Sequence, residues 1–455
     1  MIRPRFTRYA AYKDSGVQWL GEIPVGWEVN RLRHVVAKIE QGWSPECENR
    51  EADDEGWGVL KAGCVNGGTF IESEHKALPA ALEPIASLEI RAGDLLMSRA
   101  SGSRELVGSV AVVPHCRSRL LLCDKVFRLR VAEDRAHKPF IAYALNSRIA
   151  RWQIERVLSG GSGLANNIAQ EVVKDLLVTT PDLCEQRAIA TFLDRETARI
   201  DALVAKKERL ITLLQERRTA LITRAVSKGL DPAAPMKHSG VEWLGEIPAH
   251  WELSKMWQIS SARSGATPAR EVRAYWEGDI PWVSPKDMKR RVITSSEESV
   301  TSRAIEETGL RLHAPPAVLI VVRGMILAHS FPVAITAAPV TINQDMKALT
   351  FTRAMDADHA VRLFEGIGKT ILATILEEAA HGTKAVRMDV WRTLRVPVPP
   401  IAEQRAIVTF VDHGSSSVDS LIAHIRAAIS HLHELRTALI SAAVTGKIDV
   451  REASE

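Results

Sequence analysis

The stretch SGVQWLGEIPVGW at Ser15–Trp27 is written again as SGVEWLGEIPAHW at Ser239–Trp251. Keeping both tryptophans, the proline and two glycines in register excludes coincidence. A second pair repeats in step with it: EQRAIATFLD at Glu185–Asp194 returns as EQRAIVTFVD at Glu403–Asp412, and RTALI at Arg218–Ile222 returns at Arg436–Ile440. The chain therefore holds two tandem copies of one unit of roughly 220 residues, each with a dissimilar middle of about 150 residues. With 455 residues to distribute, each copy can bury a core of its own.

Pro181, and Pro399 with Pro400, stop whatever precedes each Glu-Gln-Arg segment, and the glutamate then falls in the first turn of a helix, where its charge complements the N-terminal dipole. Both helices continue far beyond that turn, with apolar residues spaced in sevens. In the first copy Leu193, Ile200, Leu214 and Leu221 share a register with Lys207, while Ile189, Leu203 and Leu210 share an interleaved one. In the second, Val411, Val418, Ile425, Leu432 and Leu439 interleave with Ile407, Leu421, Ala428 and Leu435. Either pattern alone fits an amphipathic helix lying on its own domain. Two matching seams on helices of about 40 residues, roughly 60 Å long, exceed what one small domain covers, so the helices are expected to pack on each other as a coiled coil. DHGSSSVD at Asp412–Asp419 replaces DRETARID at Asp194–Asp201. Gly414 and the neighbouring serines are expected to bend or restart the second helix, with Ser417 as a cap.

The middles read as mixed α/β, of α+β class. Val59–Leu60, Leu95–Met97, Val110–Val113 and Val126–Leu129 look like strands, as do Pro281–Ser284, Val318–Val322 and Ala348–Phe351. Weak echoes remain between them: GDLLMSRASGS faces AVLIVVRGMIL, and LLCDKVFRLR faces TINQDMKALTF. These suggest one fold with divergent surfaces. The expected division is a first domain at 1–181 with its repeat segment at 15–28, a long helix at 182–230, a second domain at 231–400 with its repeat segment at 239–252, a second long helix at 401–447, and a tail at 448–455.

A hydrophobic content of 46% with 25% charged residues describes an ordinary folded, soluble protein, and no apolar targeting segment opens the sequence, so a cytoplasmic location is expected. The most apolar run is broken by Arg323, His329 and Pro332, which favours short buried strands over a membrane span. Five cysteines form no C-x-x-C pair and do not recur between copies, which argues against zinc or a disulfide framework. A net charge of +4 permits an acidic partner.

The tandem Trp-Leu-Gly-Glu-Ile-Pro segments, the two variable middles and the two long Glu-Gln-Arg-led helices together resemble the specificity subunit of Type I restriction-modification systems. The likeness spans essentially the whole chain, is specific in the repeated segments and weak in the middles, where that family's target recognition domains differ between members. The first copy departs slightly, with TTPDLCEQ where the second has VPPIAEQ. The resemblance implies that each domain reads one half of a split double-stranded DNA site, and that an antiparallel helix pair with a pseudo-twofold axis holds the two readers apart. A rod of roughly 60 Å bounds the span at about 17 base pairs. It further implies a non-catalytic chain with no cofactor of its own. Its partners would be two methylation subunits carrying S-adenosylmethionine and restriction subunits carrying ATP and magnesium.

Two other classes stand beside this one: a self-sufficient methyltransferase or nuclease, and a coiled-coil adaptor that binds no DNA. Against the first, the Asn/Asp-Pro-Pro-Tyr/Phe motif of amino-methylating enzymes is missing, the Pro-Pro pairs following Ala314 and Val398. EGIGKT at Glu365–Thr370 evokes a phosphate loop, yet Leu363 stands where the motif requires its first glycine, so a helical segment is expected. For DNA contacts the candidates lie in polar loops beside the strands, where a guanidinium, ammonium or hydroxyl can approach base edges and phosphates. They are Lys61, Ser98, Arg99, Ser101, Arg104 and Lys125 in the first domain, and Ser284, Lys286, Arg323, Lys347 and Lys384 in the second; any of them can equally be a solvated or structural charge. SGGSGLANN at Ser159–Asn167 suits a backbone approach to DNA or a flexible loop. Trp19, Trp27, Trp243 and Trp251 read most simply as packing platforms, with docking of partner subunits as the alternative.

Overall fold

Two stretches of apolar residues with no polar alternation, LLMS and VLIV, become central strands covered on both faces. The computed structural model describes residues 7–159, 166–378 and 382–451. Its contacts divide the chain into two units, Met1–Lys207 with Ala427–Glu455, and Glu208–Arg426. In the first unit β1 (Val36–Gln41), β2 (Leu95–Ser98), β3 (Val110–Val112) and β4 (Val126–Val131) form an antiparallel sheet of order β3-β2-β4-β1. In the second, β5 (Ser260–Ser264), β6 (Val318–Val321), β7 (Val333–Thr336) and β8 (Met346–Phe351) repeat that order as β7-β6-β8-β5, with Val292–Ile293 added parallel to β7. The registers match: Leu95 faces Leu129 as Val318 faces Leu349, and Met97 faces Val110 as Ile320 faces Val333.

Because side chains alternate across a strand, each sheet serves two cores. Leu95 and Met97 join the large core under α1 (Lys138–Asn146), while Leu96, Ala111 and Val126 join a smaller one built on Val59, Leu60 and Leu120. Val318 and Ile320 divide from Leu319, Ala334 and Ala348 in the same way in the second unit. A helix α2 (Arg148–Ser159) follows α1 after a break at Ser147.

The long helices are α3 (Leu183–Lys228, 46 residues) and, after α4 (Ala357–Ile375), α5 (Ile401–Val444, 44 residues). They pair antiparallel within each unit: Asp201 meets Arg436 at 3.2 Å in the first, and Asp419 meets Arg218 at 3.5 Å in the second. The buried and half-buried positions run Leu193, Thr197, Ile200, Val204, Lys207, Ile211, Leu214, Arg218, Leu221 and Ala225 along α3. Along α5 they run Val411, Ser415, Val418, Ile422, Ile425, Ile429, Leu432, Arg436, Leu439 and Ala443. One rail expected from the sequence is thus the seam; its interleaved companion is buried at Ile189 and Ile407, but along the middle of the pair it is displaced by one residue. Leu203, Leu210 and Leu421 are 41%, 44% and 47% exposed, and Leu435 also lies outside. The alternating three- and four-residue steps of a packed helix select Val204 and Ile211, not the more apolar leucines beside them. Nor does α5 restart at Gly414. The helix is continuous, Ser417 donates back to the His413 carbonyl, and a Cβ on Gly414 would lie 3.1 Å from Leu221 Cδ1, so the small residues there admit the partner helix closely.

The repeated Glu-Gln pair fastens each unit. Glu185 accepts the indole N–H of buried Trp27 at 2.9 Å, and Glu403 that of buried Trp251 at 3.0 Å. The fully buried Gln186 donates to the Pro181 carbonyl and accepts from the His137 amide, while Gln404 donates to the Pro399 carbonyl and accepts from the Asp356 amide. Each carboxamide therefore ties the start of a long helix to the start of α1 or α4. Trp19 and Trp243 are half-buried.

Truncating Leu214 to alanine should cost about 2–4 kcal/mol of unfolding free energy, and Leu210→Ala less than about 0.5, as read from urea midpoints. Equal effects would restore the displaced rail. A second expectation concerns His359, which is fully buried in α4 at the place Phe140 takes in α1. Burial lowers its imidazole from 6.5 to about 4, against the opposing pull of Asp356. Because the folded value lies below the unfolded one, stability is complete above about pH 6.5 and is lost as pH falls toward 4, by up to about 3 kcal/mol. His359→Phe should flatten that part of the profile when urea midpoints at pH 7.5 and pH 5 are compared with those of the parent chain.

Candidate nucleic-acid interface

One loop in each unit is held by the same backbone bonds despite sharing no sequence. It joins β2 to β3 at 99–109 and β6 to β7 at 322–332. In the first unit the amides of Arg99 and Ala100 both donate to the Lys125 carbonyl, at 2.8 and 3.2 Å, and Ile168 N–H donates to the Arg99 carbonyl. In the second the amides of Val322 and Arg323 both donate to the Asp345 carbonyl, at the same two distances, and Val386 N–H donates to the Val322 carbonyl. Next, Ser101 N–H meets the Asn166 carbonyl, and Gly324 N–H meets the Lys384 carbonyl. Each loop then tightens into a short 3-10 turn, Arg104–Leu106 or Met325–Ala328. Main-chain bonds fix the shape, and side chains at the tip are left to vary.

Arg99, Ser101, Arg104 and Lys125 are gathered on or beside the first loop, and Arg323 and Lys384 on or beside the second. Several already have partners in their own unit. Arg99 donates to the Asp124 carbonyl at 3.0 Å and lies over Phe127, Arg104 donates to the Glu155 carbonyl, and the Ser101 hydroxyl accepts from Ser103 N–H. Lys61, Lys125 and Lys384 stand 3.5, 2.9 and 3.1 Å from Glu74, Asp124 and Glu378. Ser284 donates to Asp287, and Lys347 on β8 to the Ser264 hydroxyl. Lys61, Ser284 and Lys286 lie apart from the loops, beside the strands Gly58–Leu60 and Trp276–Val283. Ser98 is fully buried at the end of β2, which removes it from any surface that a duplex can touch. Arg323 and Lys286 are exposed. Of SGGSGLANN, residues 160–165 lie outside the described residues.

Charge alone misjudges this surface. Arg128 on β4 is almost completely buried, donating to Glu40 at 2.5 Å, to Asp94 and to two main-chain carbonyls. Burial pushes the Glu40 carboxyl up, but the bonds from Arg128 and Lys38 and the Arg130 charge bring it below its ordinary value. The group is a structural clasp. Two exposed tip residues escape a reading by sequence, Met325 at 62% and Ile326 at 38%, because they sit in an apolar run that resembles a buried strand. EGIGKT lies inside α4, where the Gly366 carbonyl accepts from Thr223 and a Cβ would lie 2.9 Å from Val226. Its glycine serves helix contact.

Among the described residues, no cluster of histidine, cysteine, aspartate or glutamate could hold a metal ion, and no helix is long and apolar enough to cross a membrane.

Two copies of one loop-presenting domain, each fastened to paired long helices, make this a tandem-repeat protein. Residues 248–431 match the family model described as the Type I restriction modification DNA specificity domain. The Type I restriction enzyme EcoEI specificity subunit of Escherichia coli is 33% identical over 175 residues, an alignment covering 38% of this chain and 29% of that one. The chain thus spans under a third of that relative's length. The StySPI specificity subunit of Salmonella potsdam is 23% identical over 451 residues, covering 96% of this chain and 92% of that one. A chain solved in a study of complex assembly and conformational transition of the type I R-M system shares the fold with TM-score 0.65 and 18% identity, over 93% of this chain and 98% of that one. Residues 248–431 thus match the specificity domain of Type I restriction-modification systems, and the chain is similar over nearly its whole length to a specificity subunit of that kind.

Proposed function

We propose that this chain is the non-catalytic reader of a Type I restriction-modification complex, recognising a split, asymmetric double-stranded DNA site through its two domains. The observation that carries this reading is the pair of loops with matched main-chain bonds and unrelated tips. A scaffold used twice with its tips exchanged recognises two different things in one geometry, and two unlike half-sites meet that description. The paired helices set the unread spacer between the half-sites. Their exposed faces, carrying Leu203, Leu210 and Leu421, dock two methylation subunits and the restriction subunits. S-adenosylmethionine belongs on the methylation subunits, and ATP and magnesium on the restriction subunits. The complex works in the cytoplasm, where the DNA is.

Methylome sequencing of a strain expressing this chain with its neighbouring methylation subunit, against the same strain without this chain, tests the reading. A split, asymmetric methylated motif should appear only when the chain is present. No new motif from an assembled complex with an active methylation subunit would sink it, and S-adenosylmethionine binding by the isolated chain would point instead to a self-sufficient enzyme. At the residue level, Arg323→Ala should weaken DNA binding and lower the salt slope by about 1, whereas Ser98→Ala should leave that slope unchanged.

A further inference from the structure

The two loop tips differ in chemistry at matched positions. Ladder registers place Ser98 with Val321 and Val110 with Val333, so the loops 99–109 and 322–332 are of equal length and Gly102 and Ser103 correspond to Met325 and Ile326. The first tip, Gly102–Glu105, is exposed and wholly polar or small. At the second, Met325 and Ile326 stand in solvent while Leu327 beneath them is buried and anchors the turn. Gly324 enters that turn at φ 141°, a conformation other residues rarely adopt, and its amide is held by the Lys384 carbonyl. Arg323, beside the tip, is exposed. An apolar tip on a fixed turn, next to a cation, suits a polyanion that offers an apolar group in a groove. In the DNA major groove that group is the thymine C5-methyl.

We propose that Met325 and Ile326 are specificity-determining residues that seat on a thymine methyl in the half-site read by the second domain. The inference rests on the DNA-reading function proposed above. It makes that half-site carry an A·T pair under the tip. At the matched position of the other half-site, the Ser101, Ser103 and Arg104 side chains meet a hydrogen-bonding base edge.

The test uses the full chain assembled with its methylation subunits and duplexes carrying the methylated site, each thymine replaced in turn by deoxyuridine, which lacks only the methyl. At one thymine of the second half-site, deoxyuridine should weaken binding by the parent complex about four- to tenfold. The double variant Met325→Ala with Ile326→Ala should bind the thymine duplex weaker by a similar factor and show no further loss with deoxyuridine at that position. Met325→Leu with Ile326→Val, which keeps an apolar tip, should retain the sensitivity. A parent complex that selects a split site yet ignores every thymine methyl in the second half-site overturns this inference alone, as does an alanine variant as methyl-sensitive as the parent. A parent complex that selects no split site overturns the underlying reading and this inference with it.

Discussion

In each unit one buried indole joins the two long helices to the domain. Trp27 is bonded by Glu185 at the start of α3, and its ring also closes against Gly446 just beyond the end of α5, where a Cβ would collide with Pro24 Cδ. Trp251 is bonded by Glu403 at the start of α5 and lies against Gly229 just beyond the end of α3. Each tryptophan thus binds the beginning of its own copy's long helix and the end of the other copy's. Neither copy can complete its platform from its own sequence. The same exchange governs the seam, where Arg218 and Asp201 of the first copy pair with Asp419 and Arg436 of the second. These half-exposed pairs add little stability, but they fix register and direction, since a parallel or slipped helix pair would separate both charges from their partners.

That exchange explains which parts of the molecule are legible in the sequence. Residues that meet a repeated partner must themselves repeat, so the tryptophan segment, the Glu-Gln pair and the first seam rail can be read by eye. The second rail cannot, because hydrophobicity points to Leu203 and Leu210 while geometry selects Val204, Ile211 and Arg218. The echo between the middles falls one residue out in its first segment: it sets Leu95 against Leu319, whereas the ladders match Leu95 with Val318. One residue decides which of two cores a strand side chain enters. Of the residues chosen as DNA contacts, Lys61, Lys125 and Lys384 face carboxylates of their own unit, and Ser98 is buried, which its sequence neighbours do not reveal.

Matched positions also show how far a shared frame tolerates changed chemistry. Asp194 and Asp412 are the same repeated residue, yet the first accepts from the Tyr143 hydroxyl and the second pairs with buried Arg362. Phe140 becomes His359, and the clasped Arg128 becomes Ala348 at the equivalent register. The hydroxyl and the ion pair are satisfied locally and the alanine simply packs, whereas both ring nitrogens of His359 are buried without a hydrogen-bond partner among the described residues. Buried charge is costly unless paired, so Arg128 comes with Glu40 and Asp94, and the second domain, lacking them, places alanine there.

The two loops proposed to read DNA carry this logic to its limit. Their conformation depends on amide-to-carbonyl bonds, which every residue except proline can make, and on strand ladders whose side chains point into the cores. Few tip side chains are tied down, Leu327 and Arg104 among them, so Gly-Ser-Arg-Glu and Met-Ile-Leu-Ala can stand at matched positions of the two loops. Fixing the backbone from below separates stability from specificity, and it is why two middles with almost no common sequence keep a common shape.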